Sequence, residues 1–458
     1  MLQFTGQLTK YPARASVLWY AGIITLGAIL LRMPISHGNA DQPVALLDCV
    51  FTSTSATCVT GLIVRSTEHD FSFFGQLIIL LLIQIGGIGI MTITTFTVFQ
   101  LGGHARLRDR AALSESLGAE ADMDLRWILR NVLVTTGIFE GAGFVVLAVR
   151  NSFDCPPAEA LWQALFHSIS AFCNAGFALH DDSLTRYQGD PIVNLTVCTL
   201  VVAGGLGFPV ILDLKRNWHR KWNELWNHLT LHSKLMLIGT VTLLGSSTLV
   251  FIWLEWNGVL QGLPLTRRPL VALFHAVSAR TAGFNTIEVA SLTNASLFIT
   301  VLLMLIGAGA CSTAGGLKVS TLSILICRAW FSFRGRQQVS LFRRTLPRNS
   351  IDRAMVTALL FIVTVFAALT LLLVIEQSSN PHPTSQGLFL DALFEVASAL
   401  GTVGLSTGMT SHLTLVGRII IIVLMFLGRL GPISVFVALS RTEDDAKIEY
   451  PGEAPLVG

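Results

Sequence analysis

The sequence predicts an all-α integral membrane protein of eight transmembrane helices with four re-entrant loops, arranged as four pseudo-symmetric span-loop-span repeats. Three observations lead there: a scarcity of charge, eight apolar stretches of spanning length, and one short motif that recurs four times in register. Of the 458 residues only 13% are charged, 31 Lys and Arg against 28 Asp and Glu, where a soluble domain carries about 25%. The hydrophobic class reaches 52% and the mean hydropathy is +0.64, and long uncharged runs recur from Val17 to Leu439, which leaves no segment for a separate soluble domain. A net charge of +3 is too small to argue for nucleic acid. The seven cysteines (Cys49, Cys58, Cys155, Cys173, Cys198, Cys311, Cys327) form no CxxC and have no His at ligand spacing, so they read as buried small side chains and not as a disulfide or zinc framework.

A spanning helix takes about 20 mostly apolar residues. Such stretches run over Ser16 to Leu31, Leu77 to Phe99, Trp127 to Val149, Ile192 to Leu214, Lys234 to Leu254, Ser296 to Ile326, Ala354 to Ile375 and Val416 to Leu439. Lys10 and Arg14 ahead of the first imitate a signal peptide. The run continues into Arg32, Met33 and Pro34 without a small-x-small cleavage site, so it reads as the first span. An even number of spans puts both termini on one side. Of the Lys and Arg, 21 fall in the tails and the loops of that side, eight on the other, and Lys318 and Arg429 inside spans. By the positive-inside rule both termini are cytoplasmic, as expected in a cell (plasma or inner) membrane.

Between paired spans on the outer side, each quarter of the chain holds a second, shorter apolar segment, which reads as a re-entrant hairpin. The four share F-x-x-x-S-A, at Phe51 to Ala56, Phe166 to Ala171, Phe274 to Ala279 and Phe394 to Ala399, and then a glycine, Gly61, Gly176, Gly283 and Gly404, six, six, five and six residues after the Ser. The phenylalanines are 115, 108 and 120 residues apart, so the repeats divide the chain as 1–101, 102–214, 215–350 and 351–440, with a cytoplasmic tail at 441–458. A repeat of this kind fixes the architecture before any single motif does. The i, i+4 spacing suits a short helix, and the glycine ends it and frees the backbone to turn carbonyls aside. Four short helices pointing their C-terminal ends at one axis each bring about half a negative charge there. Four loops side by side then form a ring of carbonyls able to replace the hydration shell of a monovalent cation. A repeat that only builds a scaffold, without a pore, is the plainer alternative.

The segments Ser55 to Leu62, Cys173 to Phe177, Thr281 to Thr286 and Gly401 to Thr407 resemble the four filter loops of the Ktr/Trk/HKT superfamily of potassium transporters. The resemblance covers nearly the whole chain. The short N-terminal tail, without the extra helices of Trk proteins, and the terminal Ile448-Glu449-Tyr450-Pro451 are most similar to the membrane subunit of Ktr systems. It implies that Gly61, Gly176, Gly283 and Gly404 are selectivity glycines, and that Val59, Thr60 and Leu62, Asn174, Ala175 and Phe177, Thr281, Ala282 and Phe284, and Thr402, Val403 and Leu405 line the four re-entrant pore loops beside them. Some plant members with a sodium preference carry Ser at the first glycine; all four are Gly here, which implies potassium as the transported ion. The resemblance also implies a homodimer, a cytoplasmic nucleotide-binding regulatory ring as partner, contact with membrane lipid, no cofactor in this chain, and sodium as a candidate activator.

The sixth span is interrupted by Gly307 to Lys318, with Gly307, Gly309, Gly315 and Gly316 and the hydroxyls of Ser312 and Thr313 in twelve residues. Irregular backbone at membrane depth is tolerated only against protein or a wet cavity, so the segment is either a flexible obstruction beneath the loops or a site of close helix packing. Resemblance to the family's intramembrane loop in its third repeat favours the gate. Arg429, with about ten apolar residues before it, is expensive in a span and normally faces the bundle interior. It reads as a barrier to cations or as half of a structural ion pair, and the matching family arginine favours the barrier. Lys318 is grouped with the gate, although its long stem can reach the cytoplasm.

The seven arginines from Arg328 to Arg353 suit anionic lipid or, by resemblance, the regulatory ring. Glu443-Asp444-Asp445 reads as a solvated tail, and His167 and His275, each after a motif Phe, read as packing residues. An enzyme is excluded by the lack of H-E-x-x-H, G-x-S-x-G or paired intramembrane carboxylates, since Glu140 stands alone in its span. A carrier working by alternating access usually shows inverted repeats, whereas these four units all begin on the cytoplasmic side. A sodium-permeable or Trk-type transporter of the same superfamily is the nearer alternative.

Overall fold

Without water to bond, an apolar backbone must satisfy its own N–H and C=O groups, and these runs do so as helices. The computed structural model describes residues 12–38, 44–103, 125–342, 344–377, 385 and 387–431. The first unit comprises α1 (Pro12–Arg32), the short α2 (Leu46–Thr57) and α3 (Phe73–Gly103); the second α4 (Leu125–Asn151), the short α5 (Pro157–Cys173), α6 (Pro191–Leu206) and α7 (Phe208–Asn217). The third comprises α8 (Leu231–Glu255), the short α9 (Arg268–Ser278), α10 (Asn294–Leu305) and α11 (Val319–Phe333); the fourth α12 (Arg348–Glu376), the short α13 (Leu388–Gly401) and α14 (Leu415–Leu430). The one sheet among the described residues is a two-stranded antiparallel ribbon, Ser340 opposite Thr345 and Leu341 opposite Arg344. None of the seven cysteines is joined in a disulfide.

Within this frame four helices, over Phe73–Thr92, Leu129–Asn151, Leu231–Glu255 and Arg348–Glu376, are long and apolar enough to cross a membrane, or five if α6 and α7 count as one bent span. That bent pair corrects one expectation. The run from Ile192 to Leu214 is not a straight helix: it turns by 97° at Gly207, whose φ is +91°. Pro209 in the first turn of α7 has no N–H to continue the ladder of α6 and would crowd its carbonyls, and the N–H of Phe208 bonds instead to Cys311 O at 3.1 Å. The sixth stretch is broken where its glycines suggest, ending at Leu305 and resuming at Val319. The eighth is helical to Leu430; its remainder, the tail at 441–458, Glu443-Asp444-Asp445 and the basic residues Arg106, Arg108 and Arg110 lie outside the described residues.

In each unit the helix that follows the motif helix closes the unit and packs on the motif helix of the next: α3 on α5, α6 on α9, α10 on α13, and α14 back on α2. The four units therefore close into a ring. Side-chain caps hold the entrances of the closing helices. Asp190 accepts from Ile192 N and Val193 N at the start of α6, and Thr293 and Thr414 accept from Ser296 N and Gly417 N at the starts of α10 and α14. Each saves an N–H that would otherwise be orphaned. The motif phenylalanines Phe51, Phe166, Phe274 and Phe394 are all buried, each in a different hydrophobic cluster.

Candidate functional site

After each short helix the chain leaves the helical conformation through the same pair of left-handed residues. Val59, Asn174, Thr281 and Thr402 have φ of 55°, 60°, 75° and 50°, and two positions later Gly61, Gly176, Gly283 and Gly404 have φ of 93°, 69°, 79° and 95°. A side chain resists such angles, so the shared pattern is a property of the site. The motif serines fasten it. Ser55 Oγ and Ser398 Oγ accept from Gly61 N at 3.1 Å and Gly404 N at 3.0 Å, while Ser170 Oγ donates to Phe177 O at 2.7 Å and Ser278 Oγ donates to Phe284 O. In the third loop, one residue shorter, the residue before the glycine still reaches the serine carbonyl: Ala282 N to Ser278 O at 3.0 Å, against 2.8 Å for Thr60 N to Ser55 O.

The four glycines face one another in chain order. A methyl built on Gly61 would lie 2.4 Å from Ala175 O, on Gly176 2.9 Å from Ala282 O, on Gly283 2.3 Å from Val403 O, and on Gly404 2.2 Å from Thr60 O. Each glycine is thus within van der Waals range of the carbonyl before the next one, and the fourth closes on the first. The sixteen residues from 59–62, 174–177, 281–284 and 402–405 come together here. Their twelve side chains are all buried, and among the described residues the hydroxyls of Thr57, Thr60 and Thr402 have no hydrogen-bond partner.

Against this ring lies the irregular segment between α10 and α11. Its ends are tied by Gly307 N to Leu317 O at 2.8 Å and Val319 N to Ala308 O at 3.1 Å. Its middle is clasped by the break in α6: Gly309 N donates to Gly205 O at 2.7 Å and Thr313 N to Gly204 O at 3.3 Å. Ser312 Oγ donates to Gly309 O at 2.7 Å, and Thr313 Oγ1 to Phe172 O of α5 at 3.3 Å. A methyl on Gly315 would meet Thr402 Oγ1 at 2.2 Å, so the segment abuts the fourth loop. Gly316 is left-handed, at φ 66°. Lys318 does not reach away; its Nζ donates to Ala314 O at 2.5 Å and Gly315 O at 3.2 Å. Arg429 is 4% exposed and donates to Thr313 O and, at 2.8 Å, to Gly86 O. Its charge is met by carbonyl dipoles of two units, and no acid pairs with it among the described residues.

Three features were missed by sequence reasoning. The residue after each motif Phe is polar in all four copies, Thr52, His167, His275 and Glu395, and each of the last three bonds to a residue that follows its own loop. Glu395 is fully buried and accepts from Ser406 Oγ and, at 2.8 Å, from Thr410 Oγ1. His167 Nε2 accepts from Leu179 N at 3.3 Å, and His275 Nε2 lies 3.0 Å from Thr300 Oγ1. Next, the closing helices repeat a glycine that admits the end of their own short helix, with a methyl on Gly86, Gly204 or Gly428 lying 2.0, 1.9 or 2.2 Å from Thr57 O, Phe172 O or Leu400 O. Aligning the closing helices as well as the motif would have exposed both of these, and also the Gly207-Phe208-Pro209 break.

Ring, clasped segment and cyclic packing define an all-α membrane protein in which four loops of one chain meet at a common centre. The chain belongs to the TrkH family, described as cation transport proteins, whose profile matches residues 22–450; it is a transporter by family and not an enzyme. It is 36% identical over 447 residues to the Ktr system potassium uptake protein B of Vibrio alginolyticus, covering 97% of this chain and 94% of that one. It is 35% identical over 440 residues to the potassium/sodium uptake protein NtpJ of Enterococcus hirae, covering 95% of each. Among solved structures it is similar in fold to the crystal structure of the potassium transporter TrkH from Vibrio parahaemolyticus, with a TM-score of 0.72, 18% identity, and coverage of 93% of this chain and 84% of that one.

Proposed function

We propose that this chain is the ion-translocating subunit of a potassium uptake system and passes K+ down its electrochemical gradient through the ring of four loops. The observation that carries the reading is the closed succession of glycines and carbonyls from Gly61 to Gly404, the geometry in which carbonyl oxygens replace water around a monovalent cation. The unpartnered hydroxyls of the ring residues Thr60 and Thr402 add oxygen to the same place. The names of the similar proteins support potassium as the ion, and that of NtpJ keeps sodium as the alternative.

On this reading residues 59–62, 174–177, 281–284 and 402–405 are the selectivity filter. The segment with Gly307, Gly309, Ser312, Thr313, Gly315, Gly316 and Lys318, together with Arg429, is the gate. The four repeats keep the bounds 1–101, 102–214, 215–350 and 351–440. Eight spans result if α6 with α7 and α10 with α11 each cross once and α1 and α14 cross as well, with α2, α5, α9 and α13 as re-entrant pore helices. The subunit sits in the plasma or inner membrane with both termini cytoplasmic, as a homodimer on a nucleotide-binding ring.

Expressed with its regulatory partner in cells that lack potassium uptake, the protein restores growth at low potassium; no rescue despite membrane insertion would defeat the proposal. In the same cells Gly61→Ser weakens the preference for potassium over sodium, and an unchanged ratio would remove the first loop from the filter.

A further inference from the structure

Counted back three residues from the ring glycines, the four units present Cys58, Cys173, Arg280 and Gly401. Each meets the closing helix of the unit before it. A methyl on Gly87 of α3 would lie 2.6 Å from Cys173 Sγ, and one on Gly401 2.5 Å from Met304 O of α10. Cys58 shares a buried cluster with Leu424 and Met425 of α14, the latter one turn before Arg429. Gly205 of α6 and Arg280 line one small void. Two of the four joints therefore hold a guanidinium, and they are diagonal: Arg429, from a closing helix, between the fourth and first units, and Arg280, from a loop, between the second and third.

The two guanidinium groups are held differently. Arg429 donates to carbonyls of the clasped segment and of α3. Arg280 is 6% exposed, and among the described residues its Nε is without a partner. The void it faces, about 20 Å³, is lined by Asn174, Gly205, Thr240, Ala308 and apolar side chains, with no acid among them. Arginine stays protonated in a protein, and a buried charge needs compensation. The helix ends supply it, because Arg280 stands two residues beyond Ser278, the last residue of α9, where the dipole carries about half a negative charge. That partial charge is also what draws a cation to the ring.

We propose that Arg280 is a second permeation-determining charge, which offsets the negative end of α9 and so sets how tightly the ring holds its ion, separately from the clasped segment. The proposal rests on the reading that ions pass the four-loop ring.

Potassium uptake by the full-length protein in liposomes tests it. Arg280→Gln is expected to lower the KM for potassium on the order of tenfold, as a unit charge roughly 10 Å away does at an effective dielectric of about 20. Arg280→Lys keeps the wild-type KM, and the potassium to sodium ratio of both variants stays unchanged. A folded, monodisperse Arg280→Gln protein with the wild-type KM would overturn the assignment. If that variant does not fold, Thr240→Asp places a carboxylate in the same void with Arg280 retained; it too lowers the KM, and an unaltered value there would likewise overturn it. Gly61→Ser in the same liposomes separates the two readings. An unmoved selectivity ratio condemns the ring, whereas a moved ratio with an unmoved KM in Arg280→Gln condemns only the role of Arg280.

Discussion

Around the ring, loops as different as Val59-Thr60-Gly61-Leu62 and Asn174-Ala175-Gly176-Phe177 adopt one backbone, left-handed at the first and third residues. Beneath it, closing helices as alike as Gly86-Gly87-Ile88-Gly89 and Gly204-Gly205-Leu206-Gly207 behave oppositely: α3 runs on as a helix and α6 breaks. In the loops the main chain makes the site, so side chains vary as long as they can be buried. In the closing helices glycine only permits a break, and the two residues after it decide. Ile90-Met91 continues the ladder after Gly89, while Phe208-Pro209 interrupts it after Gly207. The break in α6 then exposes Gly204 O and Gly205 O, which hold the irregular segment of the third unit.

If the ring depends on its backbone, altering a ring glycine outweighs altering a ring side chain. Gly283→Ala puts a methyl 2.3 Å from Val403 O at φ +79°, against strain of about 1–3 kcal/mol from the angle alone. Uptake is expected to be abolished in reconstituted vesicles, whereas the neighbouring Ala282→Ser retains it. Equal activity of the two variants would break the contrast.

A smaller effect is expected beneath the ring. Arg429→Ala removes the bonds to Thr313 O and Gly86 O and, on the proposed reading, a positive charge from the path. Flux measured with a potassium tracer rises severalfold at unaltered selectivity. Loss of folded protein in detergent would mean instead that the guanidinium chiefly holds the clasped segment and α3 together.

Sequence made the ring legible because a fourfold motif leaves few other arrangements, and Arg429 legible because a charge in a span calls for a reason. The clasped segment stood out for the same reason, with four glycines where lipid tolerates no loose backbone. The 97° turn at Gly207 did not, because Ile192 to Leu214 is continuous in hydropathy and hydropathy carries no direction. Glu395 was passed over as the only acid of the four residues after the motif Phe. Its partners, Ser406 and Thr410, lie 11 and 15 residues away and meet it only once the chain has turned at Gly404. Arg280 falls among the eight basic residues of the side opposite the termini, and a charge tally does not separate a loop in water from one folded back into protein.

The smallest expected effect sharpens the comparison at the N-terminal ends of the closing helices, where the third and fourth units use one device. Thr293 caps α10 and donates to Glu255 Oε1 at 2.8 Å; Thr414 caps α14 and donates to Glu376 Oε1 at 2.7 Å. The backbone N–H groups of both threonines reach the same carboxylates at 3.0 Å. The surroundings differ, because Glu255 is fully buried and Glu376 is half-buried. Losing the hydroxyl removes a cap worth about 1 kcal/mol in either case; the backbone N–H at each position still holds its carboxylate, but only at the buried Glu255 can water not take the place of the lost hydroxyl, which adds about 1 kcal/mol for the net hydrogen bond lost there. Thr293→Ala is therefore expected to lower the unfolding temperature in detergent more than Thr414→Ala, with selectivity intact in both. Equal shifts would mean that water reaches Glu255, and that the third unit is no more tightly sealed than the fourth.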